Sequence, residues 1–334
     1  MNTSSAGPIH GIRSVVLSRP VLFLIDVEPD DRKTRSDGGG WESSELAFDR
    51  LESLRFSLAE ATGRSVRFNW FFRCDPQIAE TFGSADHVAA ACPRIVRKAG
   101  DGNDAAGIHV HLWRWSEALD AWYNDLRDRQ WTRHCVATSV VAFQGIFGHA
   151  PMMSRFGDRW LSQDALDAAR ESGIRYDLTV EPGLPGERIH DDPNATGSLP
   201  DFRNALREPY RPRTGNYLAA RDDAHGSTDL WEIPVTTTRP GWRPVRRSPW
   251  LMRASRSPNL ALASRHVWPH LRSELDRPSS SPLVIVFRSG DLAQPRFLGN
   301  FERTTGLLAR HPALAWCEFT TPADVIERLA ASPK

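Results

Sequence analysis

Three features of the 334-residue chain predict an α/β fold of parallel strands joined by helical crossovers. Strand-like apolar runs alternate with helix-like amphipathic ones along most of its length, the pattern of βαβ units. Several apolar runs end on ionisable residues, as buried strands do where they emerge at a site. The length also admits a substantial core, in one large domain or two smaller ones.

Residues 21–27 read as a buried strand, followed by an amphipathic helix over 43–62 that stops at Gly63. A second strand over 66–72 ends at Arg73-Cys74-Asp75-Pro76, and 85–98 has helical periodicity. After the turn residues 100–104, a third strand covers 107–112. The aromatic-rich stretch 117–130 reads as a helix, and 162–172 as another, closed by Gly173. Strands follow at 174–180, 230–236 and 283–287; helices over 301–308 and 323–331 bracket a last strand near 314–319. The stretch 181–226 is rich in Pro, Gly, Asp and Arg and reads as a long loop, with similar strand character resuming beyond it. The expected organisation is therefore an N-terminal extension at 1–19 and one domain at 20–330, with the loop at about 181–228.

Forty-two basic residues nearly cancel forty-one acidic ones, leaving a formal charge of +1. Charge gives no reason to expect a nucleic-acid or membrane-surface partner. No segment approaches the roughly 20 apolar residues of a membrane helix, and residues 1–20 lack the apolar core of a signal peptide. A cytoplasmic protein is expected. Its four cysteines show no paired spacing, so reduced thiols are expected instead of disulfides or a zinc knuckle. Twelve tryptophans are many for this length, and several lie near the ionisable runs. That suits sugar stacking as well as core packing.

Two strand ends carry ionisable residues at i, i+2: Asp26 with Glu28, and His109 with His111. Residues two apart on a strand face the same way. Two carboxylates and two imidazoles form a plausible first shell for a divalent metal. Asp26 and Glu28 also suit loop capping at a strand end, and the histidines suit core positions satisfied by carbonyls. Glu181, Glu232 and Arg288 likewise lie near the C-terminal ends of predicted strands.

The order of motifs resembles the polysaccharide deacetylase (NodB homology) superfamily over roughly residues 20–325. Leu24-Ile25-Asp26-Val27-Glu28 is similar to its aspartate-bearing opening strand, and Gly107-Ile108-His109-Val110-His111-Leu112-Trp113 to its histidine motif. Arg155-Phe156-Gly157-Asp158-Arg159-Trp160 resembles the arginine motif, followed by a glycine-to-aspartate strand at Gly173-Ile174-Arg175-Tyr176-Asp177. Glu181-Pro182-Gly183, Pro209-Tyr210-Arg211-Pro212 and Glu232-Ile233-Pro234-Val235 continue the order. Three positions depart from the family. Val27 separates two acids that are usually adjacent, Trp113 stands where the second histidine usually falls, and Arg288 replaces a late-strand histidine.

The resemblance implies a distorted (β/α) barrel and metal-dependent hydrolysis of an N-acetyl or similar amide on a sugar. In that reading Glu28, His109 and His111 hold the metal, zinc by preference, and Asp26 is general base. Arg155 either stabilises the oxyanion or tethers Asp26. Trp113 and Trp115 form a stacking wall or pack in the core. Asp158 faces substrate or pairs with Arg155. Arg288 binds an anionic group of the substrate or neutralises Glu28. Glu232 is expected to pair with an arginine, and His149 is the reserve candidate for a general acid. A carbohydrate-binding protein without hydrolysis and a non-sugar amidohydrolase are the competing functions.

Overall fold

The first strand, β1 (Arg19–Val27), sorts its side chains by parity. Leu22 and Leu24 pack in one buried cluster with Phe71, Met153, Val284 and Val286. Val21, Phe23, Ile25 and Val27 instead pack with helix residues such as Ala47, Leu51 and Leu58. Even-numbered residues therefore face the interior of the sheet's curl, and odd-numbered ones face the helices outside it.

The computed structural model describes residues 18–31, 33, 40–189, 192–221, 229–237 and 259–331. After β1 come β2 (Asn69–Arg73), β3 (Ala105–Val110), β4 (Trp113–Ser116), β5 (Ala121–Asn124), β6 (Met153–Phe156) and β7 (Tyr176–Asp177). The remaining strands are β8 (Pro212–Arg213), β9 (Asn216–Ala220), β10 (Trp231–Glu232), β11 (Leu283–Arg288) and β12 (Cys317–Phe319). Eight of them form one sheet in the order β10-β7-β6-β3-β2-β1-β11, with β12 paired to the start of β1. All its pairings are parallel.

Past β10, the Thr236 N–H donates to the Val284 carbonyl at 3.2 Å, and the Val284 N–H to Thr236 Oγ1 at 2.9 Å. These contacts curl the sheet back toward β11 as a distorted, partly closed barrel. Register then stacks inward side chains in layers. Asp26 lies beside Arg288 and Phe71, Phe71 beside Gly107, and His109 between Arg73 and Arg155. Gly107 is required in its layer: a Cβ there would lie 2.3 Å from the Met153 carbonyl oxygen.

The parallel α/β expectation holds, with local differences. Residues 117–128 are not helical. They complete the hairpin of β4 and β5, turned at Asp120 (φ 45°), with Trp115 opposite Trp122 and their rings edge-on at 5.4 Å. Alternation of tryptophans across the pleat, together with this cross-strand aromatic pair, outweighs helical propensity. The helix begins only at Asp128, whose Oδ1 caps the N–H groups of Gln130 and Trp131, and spans Arg129–Phe147. The expected helix over 85–98 is split into Val88–Ala91 and Pro93–Ala99, because Pro93 has no N–H to continue the ladder. Helices at Pro76–Phe82 and Ser264–Leu275 are additional to the expectation, and β7 and β10 are two-residue strands within the longer runs expected there. The long loop carries the hairpin β8–β9. Its residues 190–191 and 222–228, and residues 1–17 of the N-terminal extension, lie outside the described residues.

One buried polar knot fastens the β2–β3 end of the barrel. Asp104 accepts from Arg55 Nη1 and Nη2 at 2.8 and 2.6 Å, from the Phe68 N–H at 3.0 Å and from Trp70 Nε1 at 2.8 Å. Removing the carboxylate leaves the N–H groups of Phe68 and Trp70 without their acceptor and takes the bidentate partner from the largely buried Arg55, which keeps Glu52 and the Val66 carbonyl. Asp104→Ala is expected to lower unfolding free energy by about 3–5 kcal/mol, read as a fall in the urea midpoint. An unchanged midpoint would contradict this account of the knot.

Candidate metal centre

Parity along β1 and β3 carries the inward-facing row from apolar residues to ionisable ones at the C-terminal end of the barrel. Above Leu22 and Leu24 come Asp26 and Glu28; above Gly107 come His109 and His111. All four ionisable residues are at most 4 % exposed. One ligand atom from each of Glu28, His109 and His111 lies within 4.8 Å of the others. Glu28 Oε1 is 3.3 Å from His109 Nε2, Glu28 Oε2 is 3.6 Å from His111 Nε2, and the two Nε2 atoms are 3.0 Å apart.

Partners orient each ring. His109 Nδ1–H donates to the Arg155 carbonyl at 2.9 Å, which leaves a lone pair on Nε2. His111 Nδ1 is 3.2 Å from the Trp113 indole N–H and 3.2 Å from Asp158 Oδ2. The backbone N–H of His111 donates to Asp75 Oδ2 at 3.1 Å. Gly157 lies against the ring, so closely that a Cβ would fall 2.0 Å from His111 Nε2.

Three guanidiniums balance the acids. Arg155 Nε contacts both Asp26 oxygens at 3.0 and 3.1 Å, Nη1 donates to the Leu178 carbonyl at 2.8 Å, and Nη2 is 3.9 Å from Glu181. Arg288 Nε is 3.0 Å from Glu28 Oε1. Arg73 Nη1 is 3.5 Å from Glu28 Oε2, while the rest of its fork holds Asp75 and Gln77. Burial alone would raise the Glu28 carboxyl. Arg288 holds it well below the usual carboxylate range. Burial, and then Arg73, push His111 below the usual imidazole range, so this ring is neutral near pH 7.

This donor set fits a divalent metal. It offers two imidazole nitrogens and a carboxylate oxygen, Glu28 Oε2, that accepts no hydrogen bond among the described residues. Asp26, Glu28, Asp75, Asp158 and Glu181 outnumber Arg73, Arg155 and Arg288 around it, leaving net negative charge for a cation to offset.

The other expected residues take up one of their expected alternatives in some cases and a different placement in others. Trp113 is 2 % exposed and supports His111, so it is not an open stacking wall. Trp115 is half-buried on the hairpin. Asp158 faces His111 instead of pairing with Arg155, and Arg288 neutralises Glu28. Among the described residues Glu232 meets no arginine in an ion pair: its Oε1 accepts from the Val180 N–H at 3.1 Å, and its carboxyl neighbour is Asp177. The exposed His149 precedes the N-terminal end of β6, opposite the site, and packs on Phe143 and Phe147. Arg73 and Asp75, missing from the expected site, continue the inward parity of β2, and their i, i+2 spacing at a strand end is the signal that marks them.

Behind Arg155, burial and then Asp177 push Glu232 well above the usual carboxylate range; burial raises Asp177 too. A raised acid binds its proton more tightly in the native than in the unfolded chain. Its contribution therefore declines as pH rises from the unfolded value of about 4.3 toward the native one. Glu232→Gln mimics the protonated acid, so its unfolding free energy relative to wild type is expected to improve with pH across that window. Chemical denaturation at stepped pH reads this directly, and parallel curves would contradict it.

No protein-family model matches the chain, and no curated protein sequence matches it. Solved structures do. An allantoinase, PuuE, aligns over 98 % of this chain and 95 % of its own, with TM-score 0.54 and 12 % identity. A Pseudomonas aeruginosa protein assigned as a polysaccharide deacetylase aligns over 95 % and 92 %, with TM-score 0.53 and 12 % identity. A Mycobacterium smegmatis protein with the same assignment aligns over 99 % and 96 %, with TM-score 0.51 and 14 % identity. At these identities the likeness concerns architecture, and the chain has the distorted barrel fold of polysaccharide deacetylases and this allantoinase.

Proposed function

We propose that the protein is a metal-dependent hydrolase that removes an acyl group from nitrogen, with an N-acetyl sugar as substrate. The observation that carries this reading is the Glu28–His109–His111 triad beside Asp26, whose carboxylate is gripped by Arg155. Glu28, His109 and His111 would hold the metal, and the nitrogen-rich donor set suits zinc. When bound, such an ion lowers the pKa of a coordinated water and polarises the acyl oxygen.

Asp26 then accepts the proton of the attacking water as general base. Arg155 fixes the base in place by contacting both its oxygens through Nε. Burial opposes the Arg155 charge, but Asp26 and then Glu181 raise its pKa above the ordinary value, so the tether stays cationic. The His109 Nδ1–H bond to the Arg155 carbonyl locks that imidazole, so base and ligand are positioned through the same residue.

Two alternatives rest on specific observations. Arg288 and Arg73 already supply positive charge to Glu28, which favours a carbohydrate-binding protein without hydrolysis. The likeness to an allantoinase favours a non-sugar amide as substrate.

Metal analysis of purified wild type, His109→Ala and His111→Ala separates catalysis from binding. Near-stoichiometric metal in wild type, lost in both variants, is expected. Asp26→Asn is expected to retain the metal while kcat for acetate release from N-acetyl sugars falls about 10²–10⁴-fold. A metal-free wild type that binds sugar would sink the hydrolase reading, and faster turnover of allantoin or simple acyl amides would move it to the non-sugar class.

A further inference from the structure

His111 Nδ1 has a donor and an acceptor at the same distance. The Trp113 indole can only donate, and it lies 3.2 Å away; the Asp158 carboxylate oxygen, which accepts, also lies 3.2 Å away. A neutral imidazole can satisfy one of them at a time. With the proton on Nε2, the Nδ1 lone pair accepts from Trp113. With the proton on Nδ1, the ring donates to Asp158.

The other side of the ring shows which form prevails without metal. The Nε2 atoms of His111 and His109 are 3.0 Å apart and need one proton between them. His109 carries its own proton on Nδ1, committed to the Arg155 carbonyl, so His111 must supply Nε2–H. That places the metal-free ring in the tautomer served by Trp113. The same Nε2 has to be bare to act as a ligand, and then the proton belongs on Nδ1, where Asp158 receives it.

The backbone has been bent to bring that acceptor in. Asp158 and Arg159 are consecutive non-glycine residues at φ 51° and 54°, a conformation that costs energy and persists only where the surroundings enforce it. Gly157, just before them, lets the segment press against the ring in space that a Cβ would need. Strand parity does not place Asp158; this left-handed turn does.

We propose that Asp158 and Trp113 set the tautomer of His111 in opposite directions, Asp158 being the positioning residue that makes this imidazole a metal ligand. The inference rests on the metal reading given above. The exchange is balanced: one proton leaves Nε2, one is taken up on Nδ1, and the ring stays neutral.

Zn(II) affinity of the full-length chain, measured by competition with a chromophoric chelator, tests it. Asp158→Asn, whose new side chain tolerates the left-handed backbone, is expected to weaken zinc about 10–100-fold. Trp113→Phe keeps an aromatic ring but removes the opposing donor, and is expected to tighten it. Imidazole ¹⁵N spectra supply a readout that a purely structural role would not move. His111 is expected as the Nε2–H form in the metal-free wild type, with a larger Nδ1–H share in metal-free Trp113→Phe, and as the Nδ1–H form in the zinc-loaded protein. Equal affinity in Asp158→Asn, weaker affinity in Trp113→Phe, or an Nε2–H ring in the zinc-loaded protein would overturn the inference while leaving the metal reading intact. A wild type that binds no zinc would overturn both.

Discussion

Buried charges at the C-terminal end of the barrel depend on one another. Asp26, Glu28 and Asp75 sit where water is excluded, at a desolvation cost that isolated carboxylates would avoid by protonating. Arg155, Arg288 and Arg73 meet them at 3.0, 3.0 and 2.5 Å, and the backbone supplies further donors. The barrel makes this possible because register delivers the residues in adjoining layers at one end, Asp26 and Arg288 level with Phe71 and His109 level with Arg73 and Arg155, while Leu22, Leu24, Val284 and Val286 fill the layers beneath. A single residue of register slip would turn the ionic row out toward the helices and the apolar row in.

The same arrangement sets a competition for Glu28. Each of its oxygens faces one guanidinium and one imidazole: Oε1 faces Arg288 and His109, and Oε2 faces Arg73 and His111. A cation arriving from solvent would share this carboxylate with charges already in place, and its affinity would reflect how readily Arg288 and Arg73 give way. Each has another acid to turn to: Arg288 is 3.4 Å from Asp291, and Arg73 is firmly held by Asp75. The late-strand arginine thus acts on the ligand set, although a strand-end arginine equally suits an anionic substrate on sequence grounds alone.

What the sequence makes legible here is what strand geometry makes local. The spacing of Asp26 with Glu28 and of His109 with His111 needs only period two, and the sheet brings the two strand ends together across β2. Arg73 and Asp75 obey the same rule, but a Cys-Asp-Pro sequence reads first as a turn. The β4–β5 hairpin is harder: Trp113, Trp115 and Trp122 alternate correctly for strands, yet the Glu117–Asp120 turn carries no glycine or asparagine to announce it. The helix Ser264–Leu275 contains Pro269, which argues against a helix on local grounds, and packing of Val267, Leu271 and Leu275 overrides it. Least legible is Asp158, because its approach to His111 follows from two left-handed residues and a glycine, none of which has a periodic signature.

If the protein is the metal-dependent hydrolase proposed above, two imidazoles and one carboxylate at the mouth of the barrel act as a single ligand set. X-ray absorption at the zinc K-edge of the zinc-loaded protein tests it most directly. A light-atom shell with two imidazole nitrogens at about 2.0–2.1 Å and carboxylate oxygen, without sulfur, is expected. A shell containing sulfur, which would mean one of Cys74, Cys92, Cys135 and Cys317, or an all-oxygen shell lacking imidazole, would contradict it.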